Sequence, residues 1–505
     1  MRRVYSVVAG LGLALSTTPA PAAWQRAASK HFIIYADERP DELHTFAERL
    51  ERFDQAVRNV RDMTDPPIGD GNRLTIFVVP DVQAVRRLYP TGGPNVAGFY
   101  SGRATGSIAV VPHAAGSDRP GTISPEVVFF HEYAHHLMLA NLDTPYPEWL
   151  VEGFAEFMST ARLERDGGVG IGAAPQFRAF GLRRGTPIKA ERLLAGNFAR
   201  FDGPDRDVAY GRSWLLTHYL NFSAPRKGQL ETYLAALARG TDSLTAARSA
   251  FGDLTLLDRD LDKYLGQSRI SYIKVAPAAF KPSAIDLAPL SPGAAVLMPD
   301  LMPLRIRPQR PDIASLAERV RTVARRFPGD PMVERTLAEA ELAVGQDDAA
   351  LAAADRALVA APRDGGAMIL KGHALLAGKA PDRFSAARRS FMAANALDNE
   401  DPQPLLYFYR SYLNEGRRPT DNAIAALHYA SDLAPQDMGL RLNSGAQYLR
   451  DGKSAEARRT LVPVAYNPHG GNASMIARSL IERIDANDVP GALKAFAAPR
   501  PPSQE

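Results

Sequence analysis

The chain has 505 residues, with 60 Lys and Arg against 56 Asp and Glu, a formal charge of +4 and no cysteine. Two or three domains are expected at that length. The near balance of charge argues against a nucleic-acid or membrane-surface binder, and the lack of cysteine excludes disulfide scaffolds, cysteine zinc fingers and lipid attachment through an N-terminal cysteine. Residues 1–22 carry Arg2 and Arg3, the apolar run "VVAGLGLALS" and Ala20-Pro21-Ala22, the pattern of a secretory signal peptide. A secreted or periplasmic protein, soluble after cleavage, is expected. Without Arg2 and Arg3 its charge falls from +4 to +2. No later run is long and apolar enough to span a bilayer, because "APLSPGAAVLMPDLMPL" is broken by prolines.

"KHFIIYAD" and "NRLTIFVVP" read as short strands flanking the helical stretch "DELHTFAERLERFDQAVRNVRDM", and "VAGFYSG" and "GSIAVVPH" follow as a hairpin. In "SPEVVFFHEYAHHLMLAN" Ser124 is an N-cap, Pro125 takes the first helical position and Glu126 suits the helix dipole. On the helix that follows, His131 and His135 stand at i and i+4, so their rings leave one face a turn apart. Their nitrogens can converge on one ion at about 2.0–2.1 Å, with Glu132 beside them. "TPYPEWLVEGFAEFMSTARL" predicts a second helix with Pro147 near its start and Glu148, Glu152 and Glu156 on one face. Glu148, in the first turn, is expected to face solvent. Glu152 precedes Gly153, which lets another helix approach, and it is flanked by Leu150, Val151, Phe154 and Ala155, so its carboxylate is expected to be buried and to need a cation or strong hydrogen bonds. Two imidazoles, a carboxylate and a water complete a tetrahedral Zn2+ site of the catalytic type.

"HEYAHH" followed by "WLVEGFAEF" resembles the gluzincin metallopeptidases, particularly uncharacterised secreted bacterial members of that group. The resemblance implies a gluzincin-like domain over residues 23–275, α+β to about residue 163 and helical beyond. It carries over His131, His135 and Glu152 as Zn2+ ligands, Glu132 as general base and Glu156 as the acid that fixes a ligand histidine from behind. A metzincin would need Gly at 138 and His at 141, where this chain has Met138 and Asn141. Zinc in such a site acidifies a water to about pKa 7 and polarises a carbonyl, and Glu132 takes the proton. Gluzincins also use a Tyr or His to meet the developing oxyanion. "VAYGRSWLLTHYL" supplies Tyr210 and His218, either of which could instead pack against Trp214 and Leu215; Tyr210, which opens its helix, is placed ahead. By the same analogy residues 107–112 form the sheet edge beside which a peptide lies.

Prolines accumulate over residues 276–308, which are expected to be a linker between halves that fold separately. Beyond it, Pro362, Asn399, Pro435 and Pro468 close similar segments about every 35 residues, close to the 34 of a tetratricopeptide repeat. Ala350, Ala354, Ala357 and Gly372 stand where that repeat needs small side chains. The resemblance implies an all-α tetratricopeptide-like solenoid within 309–495, with four helix pairs and a concave surface for a protein partner. A plain helical bundle is the alternative, and 496–505 is expected to be a disordered tail. The whole reads as a secreted Zn2+-dependent metallopeptidase acting on a peptide or protein substrate, with the repeats recruiting that substrate or an envelope partner. The alternative function is a non-catalytic protein-binding scaffold.

Overall fold

The computed structural model describes residues 24–89, 96, 98–113, 124–141, 146–195, 198, 201, 203–307, 310–467 and 471–497. The expected signal peptide, Pro468 and all but the first two residues of the expected tail lie outside the described residues; those two close a helix. The first half opens with β1 (Gln25–Ala28), β2 (Phe32–Ala36), α1 (Pro40–Arg61), β3 (Leu74–Val79), α2 (Val82–Leu88), β4 (Phe99–Ser101), β5 (Ile108–Pro112) and α3 (Pro125–Ala140). Strands β2, β3 and β5 are parallel neighbours, while β4 and β1 add on antiparallel at either side. Phe32, Ile34 and Ile76 pack into a core with α1 and α3, and Tyr35, Phe77 and Val79 into a second core on the other face. Burial on both faces is why "LTIFVV" shows no alternation.

The expected peptide-binding edge is not where the sequence placed it. Residues 108–112 pair with β3 on one side and 108–110 with β4 on the other, so β5 is interior and β4 is the edge. The short hairpin folds "FYS" back and uses the ladder bonds that a substrate would need.

Helix α3 is fixed at both ends of its buried face. Ser124 accepts from the Val127 amide, and Arg49 on α1 grips Glu126 with two bonds of 2.9 and 2.7 Å. Further along, the Tyr133 hydroxyl donates to Asp54 at 2.8 Å, and Phe130 stacks on Phe53. Helix α4 (Glu148–Ser159) is buried along its whole length after Glu148. Beside it come a small sheet of β6 (Arg162–Leu163), β7 (Val169–Ile171) and β8 (Ile273–Val275), and the helices α5 (Ala179–Arg184), α6 (Ala190–Leu194), α7 (Gly203–Phe222), α8 (Gln229–Ala238), α9 (Ser243–Phe251) and α10 (Leu254–Leu265). Gly153 is where α4 meets α7: a Cβ there would stand 2.6 Å from the Ser213 carbonyl oxygen.

Residues 276–307, the described part of the expected linker at 276–308, do not form one. Strand β9 (Asp286–Pro289) pairs with β1 as the sixth strand of the sheet, and α11 (Pro292–Ile306) carries Pro299 and Pro303 inside a helix. Each interior proline costs about 3 kcal/mol. Burial of Leu297, Met298, Leu301, Met302, Leu304 and Ile306, at about 1.5–3 kcal/mol each, outweighs that. The helix lies in the core formed by Tyr35, Phe77 and Val110 of the sheet and Leu316, Val320 and Val333 of the following helices. The two halves therefore share a core, and separate folding is not expected.

Helix α12 (Ile313–Arg326) leads into a helical solenoid. It consists, among the described residues, of α13 (Pro331–Ala343), α14 (Asp347–Ala360), α15 (Gly365–Ala377), α16 (Arg383–Leu397), α17 (Pro402–Asn414), α18 (Asp421–Leu433), α19 (Met438–Arg450), α20 (Ser454–Ala465), α21 (Gly471–Asp485) and α22 (Val489–Ala497). Each helix packs on the next. Asp330, Asp364, Asp401 and Asp437 cap the odd-numbered helices α13 to α19, which is the recurring local signal behind the repeat. Ala350, Ala354 and Ala357 are buried, and Gly372 sits where a Cβ would come within 2.7 Å of Phe391. The solenoid continues from under the sheet past the turns at 69–72 and 102–107 and returns to α4, where Arg478 meets Glu148. No helix among the described residues is long and apolar enough to cross a membrane.

Candidate metal centre

Helices α3 and α4 bring His131, His135 and Glu152 together. Nε2 of His131 and Nε2 of His135 are 3.1 Å apart, and Oε2 of Glu152 is 3.4 Å from each. Bonds of 2.0–2.1 Å around a tetrahedral zinc imply donor separations of about 3.3–3.4 Å, so the three atoms stand close to three corners of such a tetrahedron, the two imidazole nitrogens slightly nearer each other. His135 and Glu152 are buried and His131 is nearly so. Burial alone would lower the His131 imidazolium, but the Glu152 and Glu156 carboxylates outweigh it and carry the ring up to about 10. The three donors could hold a metal ion, and two imidazoles with one carboxylate suit Zn2+.

Glu156, one turn beyond Glu152, places Oε1 3.4 Å from Nδ1 of His131, behind the ring. Its carboxyl is buried, which by itself would raise it, yet Arg178 and His131 hold it down near 2. Arg178 donates to both Glu156 oxygens at 3.1 and 2.6 Å and also reaches Asp207. Its guanidinium lies 4.9 Å from the centre of the Tyr210 ring. Sequence reasoning missed Arg178 because it sits in a single 3-10 turn, Gln176–Arg178, with no periodicity. The need for it was legible: a buried Glu156 facing an imidazole requires a further cation.

Glu132 is half-buried beside the two histidines, and its charge bears on both Tyr210 and Tyr100. Tyr210 faces the site, its ring centre 6.0 Å from that of His131 and edge-on to Phe198. Burial and then the Glu152, Glu132 and Glu156 carboxylates raise its hydroxyl far above the ordinary range, so it keeps its proton. His218 is elsewhere. It is buried, with Nδ1 2.9 Å from the Tyr264 hydroxyl and Nε2 2.9 Å from the Ser271 carbonyl, and its ring stacks on Phe222. A carbonyl can only accept, so Nε2 carries the proton and Nδ1 accepts from Tyr264. Burial pushes the ring down to about 4. With both nitrogens engaged in the core, His218 is corrected from a candidate oxyanion donor to a packing residue. Glu148 also departs from expectation: one oxygen accepts from the Phe198 amide at 2.6 Å and the other from Arg478 at 3.0 Å.

No protein-family model matches the chain, and no curated protein matches it. Among solved structures, the chain is similar to the MamA RS-1 ArsTM double mutant at 17% identity and a TM-score of 0.28, over 37% of this chain and 96% of that one. It is similar to a crystal structure of MamA at 17% identity and a TM-score of 0.26, over 33% of this chain and 90% of that one.

Proposed function

We propose that the chain is an exported zinc-dependent metallopeptidase of gluzincin type whose helical repeats engage the protein it acts on. The observation that carries this reading is the mutual spacing of 3.1 to 3.4 Å among the His131, His135 and Glu152 donors, on two helices that supply a further acid, Glu132, beside them. When bound, Zn2+ supplies Lewis-acid polarisation of a carbonyl and acidification of a water. Glu132 accepts the proton released in attack and passes it to the leaving amine. Tyr210, protonated and facing His131, offers a hydroxyl donor to the oxygen on which charge develops. Glu156, anchored by Arg178, holds the His131 ring in orientation.

A second reading is a protein-binding helical-repeat scaffold in which the metal centre serves only to hold α3 on α4. The extent of the solenoid favours it, since α13 to α22 stack helix on helix into the kind of extended surface that repeat proteins use for binding. Glu132→Gln separates the two readings. A peptidase should keep stoichiometric zinc in this variant and lose about a hundredfold or more in peptide hydrolysis. Turnover of a susceptible peptide that is unchanged by Glu132→Gln would remove Glu132 as the base, and a zinc-loaded wild type that hydrolyses no member of a peptide library would leave the scaffold.

A further inference from the structure

We infer that the last repeats brace the metal centre: the solenoid holds both donor-bearing helices, α3 through the β4–β5 hairpin and α4 through Arg478, and thereby sets the spacing of the three donors. The inference rests on the zinc reading above.

The grip on α4 is an ion pair pinned from both sides. Arg478, on α21, donates from Nε to the Ala465 carbonyl at the end of α20, at 2.6 Å. Helix ends leave such carbonyls without an intrahelical partner, so this bond fixes the guanidinium before it meets anything else. Nη2 then donates to Glu148 at 3.0 Å, and the second Glu148 oxygen accepts from the Phe198 amide. Glu148 is the first residue of α4, one turn ahead of Glu152 on the same face. Any shift of α21 is transmitted to the turn that carries the Glu152 donor.

The grip on α3 is made of hydrogen bonds. Asp437 caps α19 with one oxygen on the Leu440 amide and with the other accepts from the Ala104 amide in the hairpin turn, both at 2.8 Å. Gln436 donates to the Ser107 hydroxyl at 3.2 Å. Strand β4 of that hairpin carries Tyr100, whose hydroxyl lies 2.7 Å from Nδ1 of His136, the residue after His135. The His136 ring stacks on Tyr133, which Asp54 anchors.

Helices α19, α20 and α21 pack on one another in sequence, so the two grips belong to one continuous packed stretch. Metal affinity is sensitive to donor displacements of a few tenths of an ångström. A protein bound to the repeats that moves α21 against α19 therefore moves α4 against α3, and zinc affinity reports it; by linkage, zinc alters the affinity for that protein equally. The two grips differ in salt sensitivity. The Arg478 side chain is 44% exposed and its pair with Glu148 joins two opposite charges, whereas the hairpin grip sets the Asp437 carboxylate and the Gln436 amide on uncharged groups, a backbone amide and a hydroxyl.

The test uses the full chain and zinc itself. Zinc affinity is measured by chelator competition at low and high salt for the wild type, Arg478→Ala and Arg478→Lys, with hydrogen exchange of the first turn of α4 followed in parallel. Arg478→Ala should bind zinc about two- to fivefold more weakly, the range expected for a partly exposed pair, and its α4 amides should exchange faster. High salt should weaken the wild type by a similar factor and the variant hardly at all, and Arg478→Lys should recover most of the affinity. A wild type that binds zinc while Arg478→Ala binds it equally well overturns the brace and leaves the zinc reading standing. Faster exchange throughout the chain, without a local effect on α4, would mark Arg478 as merely structural and overturn it too. A wild type that binds no zinc overturns both.

Discussion

Tyr210 and His218 leave the same helix two turns apart and end in opposite chemical situations. The Tyr210 ring borders three carboxylates and an arginine, and its proton is held by burial and then by the carboxylates, against the arginine. His218 spends one nitrogen on a hydroxyl and the other on a carbonyl, among Phe157, Trp214 and Phe222. Substitution should separate them. Tyr210→Phe is expected to retain zinc and to lower hydrolysis by about a hundredfold, the scale for removing one oxyanion donor. His218→Phe removes two buried hydrogen bonds, and it should lower the melting temperature with zinc content and turnover intact. Zinc analysis, steady-state rates and thermal melts on the two variants check this; a rate loss in His218→Phe alone would reverse the assignment.

At the scale of elements, the α4–α7 contact decides whether Glu152 can reach the histidines. Gly153 faces Ser213 and Thr217, and a Cβ would stand 2.6 Å from the Ser213 carbonyl oxygen and 3.0 Å from its carbon. Glycine in a helix interior ordinarily costs about 0.5–1 kcal/mol relative to alanine. Here the clash wins, because besides the Thr217 hydroxyl the obstructing atoms are Ser213 backbone and the helices must part; overpacking of this kind costs about 1–3 kcal/mol. Gly153→Ala should therefore lower the melting temperature and, because its neighbour is Glu152, also reduce bound zinc. A variant that melts higher than the wild type would show that α7 yields without strain.

The whole molecule is held as one body by a core that takes side chains from the sheet, from α11 and from the first repeats, and by the seam where the solenoid meets the turns of the sheet. Asp401 lies in that seam, 8% exposed, against Gly71 and next to Asp398, with Asp70 and Arg73 paired nearby. Burial and then Asp398 push its carboxyl up to about 7, against the opposing bond from the Gln403 amide. The folded chain thus keeps a proton that the unfolded chain releases near pH 3.9. Stability from this group is greatest below about pH 4, falls as pH rises to about 7 and is level above. Asp401→Asn caps α17 as well as Asp does and cannot ionise. Its melting temperature should exceed that of the wild type at pH 8 and match it at pH 4. An equal gap at both values would mean that Asp401 does not titrate between them.

By itself the sequence determined what local periodicity and capping can encode. Ser124 and Pro125 start α3, the i, i+4 spacing puts His131 and His135 on one face, and Gly153 marks the close approach that buries Glu152. The small residues Ala350, Ala354, Ala357 and Gly372 and the recurring cap aspartates make the solenoid readable in the same way. Tertiary structure alone decided which side of α7 faces His131, that β4 and not β5 is the edge, and that the proline-rich stretch completes the sheet and the shared core. It also decided the two arginines that matter most: Arg178 behind Glu156, and Arg478 on Glu148 across 330 residues of chain. Partners that distant leave no pattern in any window of sequence, because what brings them together is the burial of faces contributed by the whole molecule.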